Sequence, residues 1–184
     1  MKNPYLIGSQ VYLRPVEMSD ASVIVPWLND PAISRTILHR RPLNLRNEEE
    51  FLERMSRSEQ DLVLGIALKA DDRLIGATGF HQIDPRNRHA CFGITIGIPE
   101  AWGKGYGTEA TQLMVRHAFE TMNLNRVWLQ VFEYNLRALR TYEKIGFKKE
   151  GVLRHENYRE GRYWDTLVMG ILRHEWEAPP QKGT

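Results

Sequence analysis

Gly103, Gly105 and Gly107 fall within five residues, with Lys104 between the first two and Tyr106 and Thr108 on either side of the last. Glycines at that density leave backbone N–H groups bare, and where they open a helix those groups meet the positive end of its dipole. Such a loop is suited to an anion, above all a phosphate. For glycines considered alone, a plain tight turn is the competing explanation. A second set of residues stands downstream, with Asn135 before a helical stretch, Tyr142 inside it and Gly146 just past its end. A phenol so placed is ordinary packing by default.

The loop is not that of a nucleotide triphosphatase, because Lys104 is followed by Gly105 and not by Ser or Thr, and the spaced upstream glycine is missing. Gly105, Gly107 and Ala110 do satisfy G-x-G-x-x-A, and Glu133 ends the next strand where a ribose-binding acid belongs. Against a dinucleotide fold stand Pro99 to Lys104, which separate strand from loop, and an antiparallel hairpin upstream. A dinucleotide-dependent enzyme is kept as an alternative.

The elements around these residues follow from periodicity. Val11 to Pro15 reads as an opening strand, and Ser19 and Asp20 precede a helix up to Leu28 in which Pro26 predicts a break or kink. Asn47, with Glu50 three residues on, predicts the cap of a second helix that buries Phe51, Leu52 and Met55. Leu62 to Lys69 and Arg73 to Phe80 form a hairpin pattern. Phe92 to Ile98 alternates strictly, placing Phe92, Ile94, Ile96 and Ile98 on a core face and leaving Gly93, Thr95 and Gly97 on a nearly bare one. A bare strand face lets a helix or a ligand approach closely. Ala110, Met114, Ala118 and Met122, with Val115 and Phe119, make the stripe of a helix ending near Asn123. Val127 to Phe132 is the next strand, Asn135 caps a helix over Ala138 to Ile145, and Phe147 to Arg154 and Tyr163 to Leu172 close the chain around a polar connection.

The whole has 184 residues, 42% of them hydrophobic and 26% charged, which fits one compact domain and excludes wholesale disorder. Lys and Arg exceed Asp and Glu by 25 to 23, too small a surplus to imply nucleic acid or an anionic membrane. The single cysteine, Cys91, excludes an intrachain disulfide, and no paired Cys and His spacing offers a metal site. Pro4, Gly8 and Arg14 interrupt the N-terminal apolar residues, so no signal peptide is expected, and a cytoplasmic location is.

The run Gly103 to Ala110, G-K-G-Y-G-T-E-A, followed by a strand and then by Asn135, Arg137, Ala138, Tyr142, Glu143, Gly146 and Phe147, resembles the GNAT superfamily of acetyl-CoA-dependent N-acetyltransferases. Leu13, Arg14 and Asp20, with Tyr158, Gly161, Tyr163 and Asp165, resemble its Rim-type branch, which acetylates the N-termini of ribosomal proteins. The resemblance covers about residues 10–176 and implies a single α+β domain over residues 1–177, a central twisted mixed β-sheet flanked by helices, followed by a tail at 178–184.

It further implies that strands 92–98 and 127–132 splay to admit acetyl-CoA as cosubstrate. The backbone of Gly103, Lys104, Gly105, Tyr106, Gly107 and Thr108 would hold its pyrophosphate, and that of Ile96, Gly97 and Ile98 would pair with its pantetheine arm. Asn135 would face it, and Tyr142 would protonate the departing thiolate. Trp102 departs from the family pattern, which has Gln or Arg at that place. The implied reaction is direct transfer of acetyl to a primary amine, of a protein N-terminus or a small molecule; a non-catalytic acyl-CoA sensor on the same fold is the alternative, disfavoured by Tyr142. A homodimer is compatible with the resemblance.

No general base is singled out. His81, Asp84, His155 and Glu156 lie near strand ends that could border the acceptor site, though each reads first as solvated surface, and Cys91 reads as packing. Arg35, His39, Arg40 and Arg41 form a basic cluster, either solvated or bearing on acceptor choice, in which case it disfavours polyamines.

Overall fold

The computed structural model of the chain describes residues 1–38 and 41–176. His39 and Arg40 of the basic cluster, and the tail expected at 178–184, lie outside the described residues.

The described residues build one α+β domain on an eight-stranded sheet: β1 (Leu6–Ile7), β2 (Val11–Pro15), β3 (Leu62–Leu68), β4 (Leu74–Asp84), β5 (His89–Ile96), β6 (Arg126–Phe132), β7 (Lys148–Arg159) and β8 (Arg162–Leu172). The order is β1-β2-β3-β4-β5-β6-β8-β7. Every neighbouring pair is antiparallel except β5 and β6, which are parallel. The helices are α1 (Ala21–Asn29), α2 (Pro31–Ser34), α3 (Leu45–Ser56), α4 (Tyr106–Glu120) and α5 (Leu136–Ile145). A parallel pair needs a crossover, and α4 supplies it between β5 and β6.

Strand alternation sorts the helices onto two faces. A Cβ on Gly107 of α4 would lie 3.6 Å from the Ile96 side chain, whereas a Cβ on Gly97 would collide with the Trp27 ring of α1. Ile96 and Gly97 point to opposite faces, so α4 and α1 cover opposite faces. The core lies on the α4 side, where Met114, Val115, Phe119, Val127, Leu129 and Ile171 are fully buried. Trp27 also accounts for part of the bare strand face: over Gly97 the approaching partner is a helix.

Several boundaries differ from the sequence expectations. Pro26 does not end α1, which continues to Asn29; burial of Ala21 and Ile24 outweighs one missing helical hydrogen bond. The cap of α3 is Asn44, whose side chain accepts from Asn47 N–H at 2.9 Å, so Asn47 belongs to the first turn. β7 and β8 run on through the expected polar connection and meet at Glu160 and Gly161, with φ of 53° and 80°. This is a two-residue hairpin turn whose positive dihedrals match strand twist. β5 ends at Ile96, two residues before the expected end, and α4 ends at Glu120.

One buried ion pair ties the start of the fold together. Arg14 Nη1 and Nη2 donate to Asp20 Oδ2 and Oδ1 at 2.7 and 2.8 Å, with the side chains 10% and 11% exposed, and Glu17 N–H also donates to Asp20. Burial opposes the charge on Asp20, but the Arg14 and Glu17 hydrogen bonds outweigh it and hold the carboxyl below its ordinary range. A group lowered on folding contributes stability above its unfolded pKa and loses it as pH falls through the folded value. Asp20→Ala, which leaves Arg14 buried without its partner, should therefore cost about 3 kcal/mol at neutral pH, with a smaller cost in acid. Urea unfolding against pH checks this. A neutral-pH cost below about 1 kcal/mol would place the pair with weak surface bridges.

Candidate active site

β5 and β6 pair over only three positions, His89 with Arg126, Ala90 with Val127 and Cys91 with Trp128. Beyond them the strands part, each still held along its length by its outer neighbour, β4 or β8. The gap opens into a cleft of 640 Å³, lined by both strands, by the loop before α4 and by one face of α5. This is the splay that the resemblance implies.

The main chain of β5 along the gap is left over for a ligand. Gly97 N–H donates to Ile75 O at 2.9 Å, and polar groups alternate in direction along an antiparallel ladder. Gly93 and Thr95 therefore turn theirs towards β4, while Ile94 and Ile96 turn theirs into the gap. Trp102 Nε1 takes the Ile96 carbonyl at 2.9 Å. What faces the gap is thus both groups of Ile94 and the N–H of Ile96. Gly97 and Ile98 do not line the cleft; the Ile98 carbonyl receives Ala101 N–H in a tight turn.

Gly103, Gly105, Tyr106, Gly107 and Thr108 do line the cleft, and Lys104 does not. Gly105 is the N-cap of α4 at φ 87°, a conformation that a side chain would strain, and it sets the next three N–H groups free of intrahelical acceptors. Trp102 stacks on the Arg137 guanidinium, 3.7 Å from ring centre to cation, so the departure from the family pattern braces the loop against α5. Arg137 and Lys144 add positive charge to this wall. Free N–H groups at a helix start, two cations and unpaired strand edge together fit the pyrophosphate and amide-rich arm of CoA.

α5 brings in the remaining residues. Asn135 caps it, accepting from Ala138 N–H at 3.3 Å, and lines the cleft as well, so capping and facing the ligand are compatible. Gly146 ends it at φ 109°. Tyr142 is buried at the fork of the strands, edge-on to Phe92, with the ring centres 6.4 Å apart. Burial first, and then the neighbouring Cys91, push its phenol well above the ordinary range, so it keeps its proton throughout the neutral range. Burial also pushes the Cys91 thiol up to about 11, against the pull of Arg126, which leaves it protonated and a poor nucleophile.

The opposite end of the cleft is walled by Thr36, Ile37 and Leu38 and by His81, Gln130, Phe132 and Thr166. Tyr134 ties down the residue just before the first three: its hydroxyl donates to Arg35 O at 2.8 Å and accepts from Asn157 Nδ2 at 3.1 Å. Arg35 lies 3.5 Å from Glu160 across this rim. Sequence reasoning missed Thr166, whose buried hydroxyl has no partner among the described residues, and Gln130, because nothing in a strand's alternation announces that its neighbour will move away.

Fold and cleft together define an acyltransferase that takes a phosphate-bearing thioester through a parted sheet. Residues 10–148 match the model of the acetyltransferase (GNAT) domain, and the chain belongs to that family. It is 29% identical over 175 residues to the uncharacterized N-acetyltransferase p20 of Bacillus licheniformis, with 93% of this chain and 97% of the relative covered. Over 108 residues, 59% of this chain and 58% of the relative, it is 36% identical to the putative ribosomal N-acetyltransferase YdaF of Bacillus subtilis. The spermidine N-acetyltransferase of Vibrio cholerae, solved with CoA and spermine, superimposes with a TM-score of 0.85 at 28% identity, covering 91% of this chain and 98% of the other. The protein is an N-acetyltransferase that uses acetyl-CoA, which sets aside the dinucleotide alternative. No helix among the described residues is long and apolar enough to cross a membrane.

Gly107 offers a clean test of the loop. Its φ is not in the left-handed region, and an added Cβ meets Ile96 only at ordinary contact distance, so Gly107→Ala should leave the melting temperature unchanged or raised. The methyl enters the cleft wall and should weaken acetyl-CoA binding by about tenfold or more, since close backbone approach is lost. Calorimetric titration with acetyl-CoA checks it.

Proposed function

We propose that the enzyme acetylates the free primary amine of a singly charged acceptor, a peptide α-amine above all, by direct attack on acetyl-CoA. The observation that supports this is the character of the acceptor end. Among the described residues that line the cleft, at this end or the other, there is no Asp or Glu. A polyamine carries several ammonium groups and needs carboxylates to hold them; a peptide terminus brings one.

In this reading the N–H groups of Gly103 through Thr108 hold the pyrophosphate, with Lys104 outside the wall but close in sequence. Ile94 and Ile96 pair with the pantetheine arm in place of the expected Ile96 to Ile98. The Ile94 and Ile96 edge then directs the thioester to the fork, where Tyr142 stands with its proton retained. Tyr142 gives that proton to the sulfur as the carbon–sulfur bond breaks. Cys91, held protonated, takes no part as an acyl carrier.

A second reading is favoured by the likeness in sequence and fold to a spermidine N-acetyltransferase. The two are separated by initial rates of thiol release with spermidine and with a peptide bearing an unblocked N-terminal alanine. The peptide should be the better substrate by kcat/KM, and efficient spermidine acetylation at physiological salt would overturn the proposal. Tyr142→Phe should keep the fold and acetyl-CoA affinity yet lower kcat by about tenfold to a hundredfold, since a thiolate leaves more readily than most groups that need an acid. A wild-type kcat in that variant would reduce Tyr142 to packing.

A further inference from the structure

The reaction needs a group to take a proton from the acceptor ammonium, and the mechanism above leaves that place empty. Of the titratable side chains on the described cleft wall, Tyr106 and Tyr142 are phenols, Arg137 and Lys144 are cations, and Cys91 is a thiol held protonated. Phenols and cations of these kinds carry their protons at neutral pH. The remaining one is His81.

His81 is placed as a base in three respects. Its Nδ1 lies 2.8 Å from Asp61 Oδ1, and an ionised carboxylate only accepts, so Nδ1 carries the hydrogen and in the neutral ring the lone pair is on Nε2. Asp61 in turn is held by the Ser58 hydroxyl at 2.6 Å. Burial opposes the Asp61 charge, but the hydrogen bonds from Ser58 and His81 outweigh it, with the charge of Arg54 and, once the ring has taken a proton, that of His81, and the carboxyl stays below its ordinary range.

The second respect is direction. His81 is opposite Cys91 on the neighbouring strand, and its ring leans over Gly93, where a Cβ would come within 4.0 Å of Nε2. A side chain at 93 would stand between the ring and the gap, and glycine leaves that passage open. The third respect is access: the imidazole is 40% exposed, lines the cleft, and makes no hydrogen bond through Nε2 among the described residues.

From this geometry we infer that His81 is the general base for the acceptor amine and that Asp61 is its positioning residue. The inference rests on the proposed transfer of acetyl to a free amine. His81 Nε2, directly or through one water, takes one proton from R–NH3⁺. The amine lone pair forms the new carbon–nitrogen bond, the carbon–sulfur bond breaks with its electrons on sulfur, and sulfur takes the Tyr142 proton. The second proton leaving nitrogen passes through solvent to refill Tyr142, and His81 releases its proton to bulk. The net products are an N-acetyl amine, CoA thiol and one proton. The pairing also suits the proposed acceptor, since an α-amine titrates near 8 and an alkyl amine near 10, so the former yields its proton to an imidazole far more readily.

The test compares the wild-type protein with His81→Ala and Asp61→Asn, using the alanine peptide and spermidine as acceptor probes at saturating acetyl-CoA. His81→Ala should lower kcat/KM for the amine by about a hundredfold or more, with acetyl-CoA affinity and melting temperature held. Added imidazole should restore the rate in proportion to its free-base concentration, a response that a merely structural histidine does not give. Asp61→Asn should lower kcat by a smaller factor and respond little to imidazole. Wild-type kcat/KM in a folded His81→Ala protein, or loss of activity without imidazole rescue, overturns the assignment of the base while wild-type turnover stands. Absence of wild-type turnover with both probes overturns the acceptor reading and the inference with it.

Discussion

The parting of β5 and β6 is the constraint on which the rest of the molecule depends. A sheet satisfies its backbone by pairing, and an interior strand edge left unpaired is costly unless something else meets it. Here pairing ceases after Cys91 and Trp128, yet both strands stay in place because β4 and β8 hold their outer edges. The structure meets part of the cost itself, with the Trp102 indole on the Ile96 carbonyl, and leaves the rest of the edge for an extended, amide-bearing ligand. The same opening joins the two faces of the sheet, so that the loop before α4 and the side chains of His81, Gln130 and Phe132 line one cleft.

Each end of that passage is built by a different device. At the α4 end the device is backbone, since glycines allow N–H groups to converge and side chains only brace them. At the fork it is burial, which pushes the Tyr142 phenol and the Cys91 thiol up so that both keep their protons at neutral pH. At the opposite end it is a set of polar ties between distant segments, Tyr134 to Arg35 and Asn157, and His81 to Asp61. A cleft wall assembled in that way can vary without disturbing the sheet, and relatives of this chain bear different substrate names.

Much of this was legible in the sequence, where local chemistry and element periodicity coincide. Three glycines before an amphipathic stripe already specify a helix start with free N–H groups, and Asn135 and Gly146 bracket a helix by caps that act over three or four residues. The alternation in β5 was equally plain. Boundaries set by competing local signals were not. Asn47 and Asn44 are both good caps, and only packing chooses between them; Glu160 and Gly161 form a turn hidden among charges that propensity reads as a loop.

What tertiary structure alone decided is which groups remain unused. The sequence by itself determined that a glycine-rich loop before a helix, a phenol on a short helix and a histidine near a strand end were present. It did not determine that Gly97 would spend its N–H on β4 and its open face on Trp27, moving the free edge to Ile94 and Ile96, nor that Asp61, twenty residues before His81, would orient its ring over Gly93. Such outcomes depend on register between strands and on contacts between segments far apart in the chain. A residue's type is written locally, but whether its hydrogen-bonding groups are already taken is a property of the whole sheet.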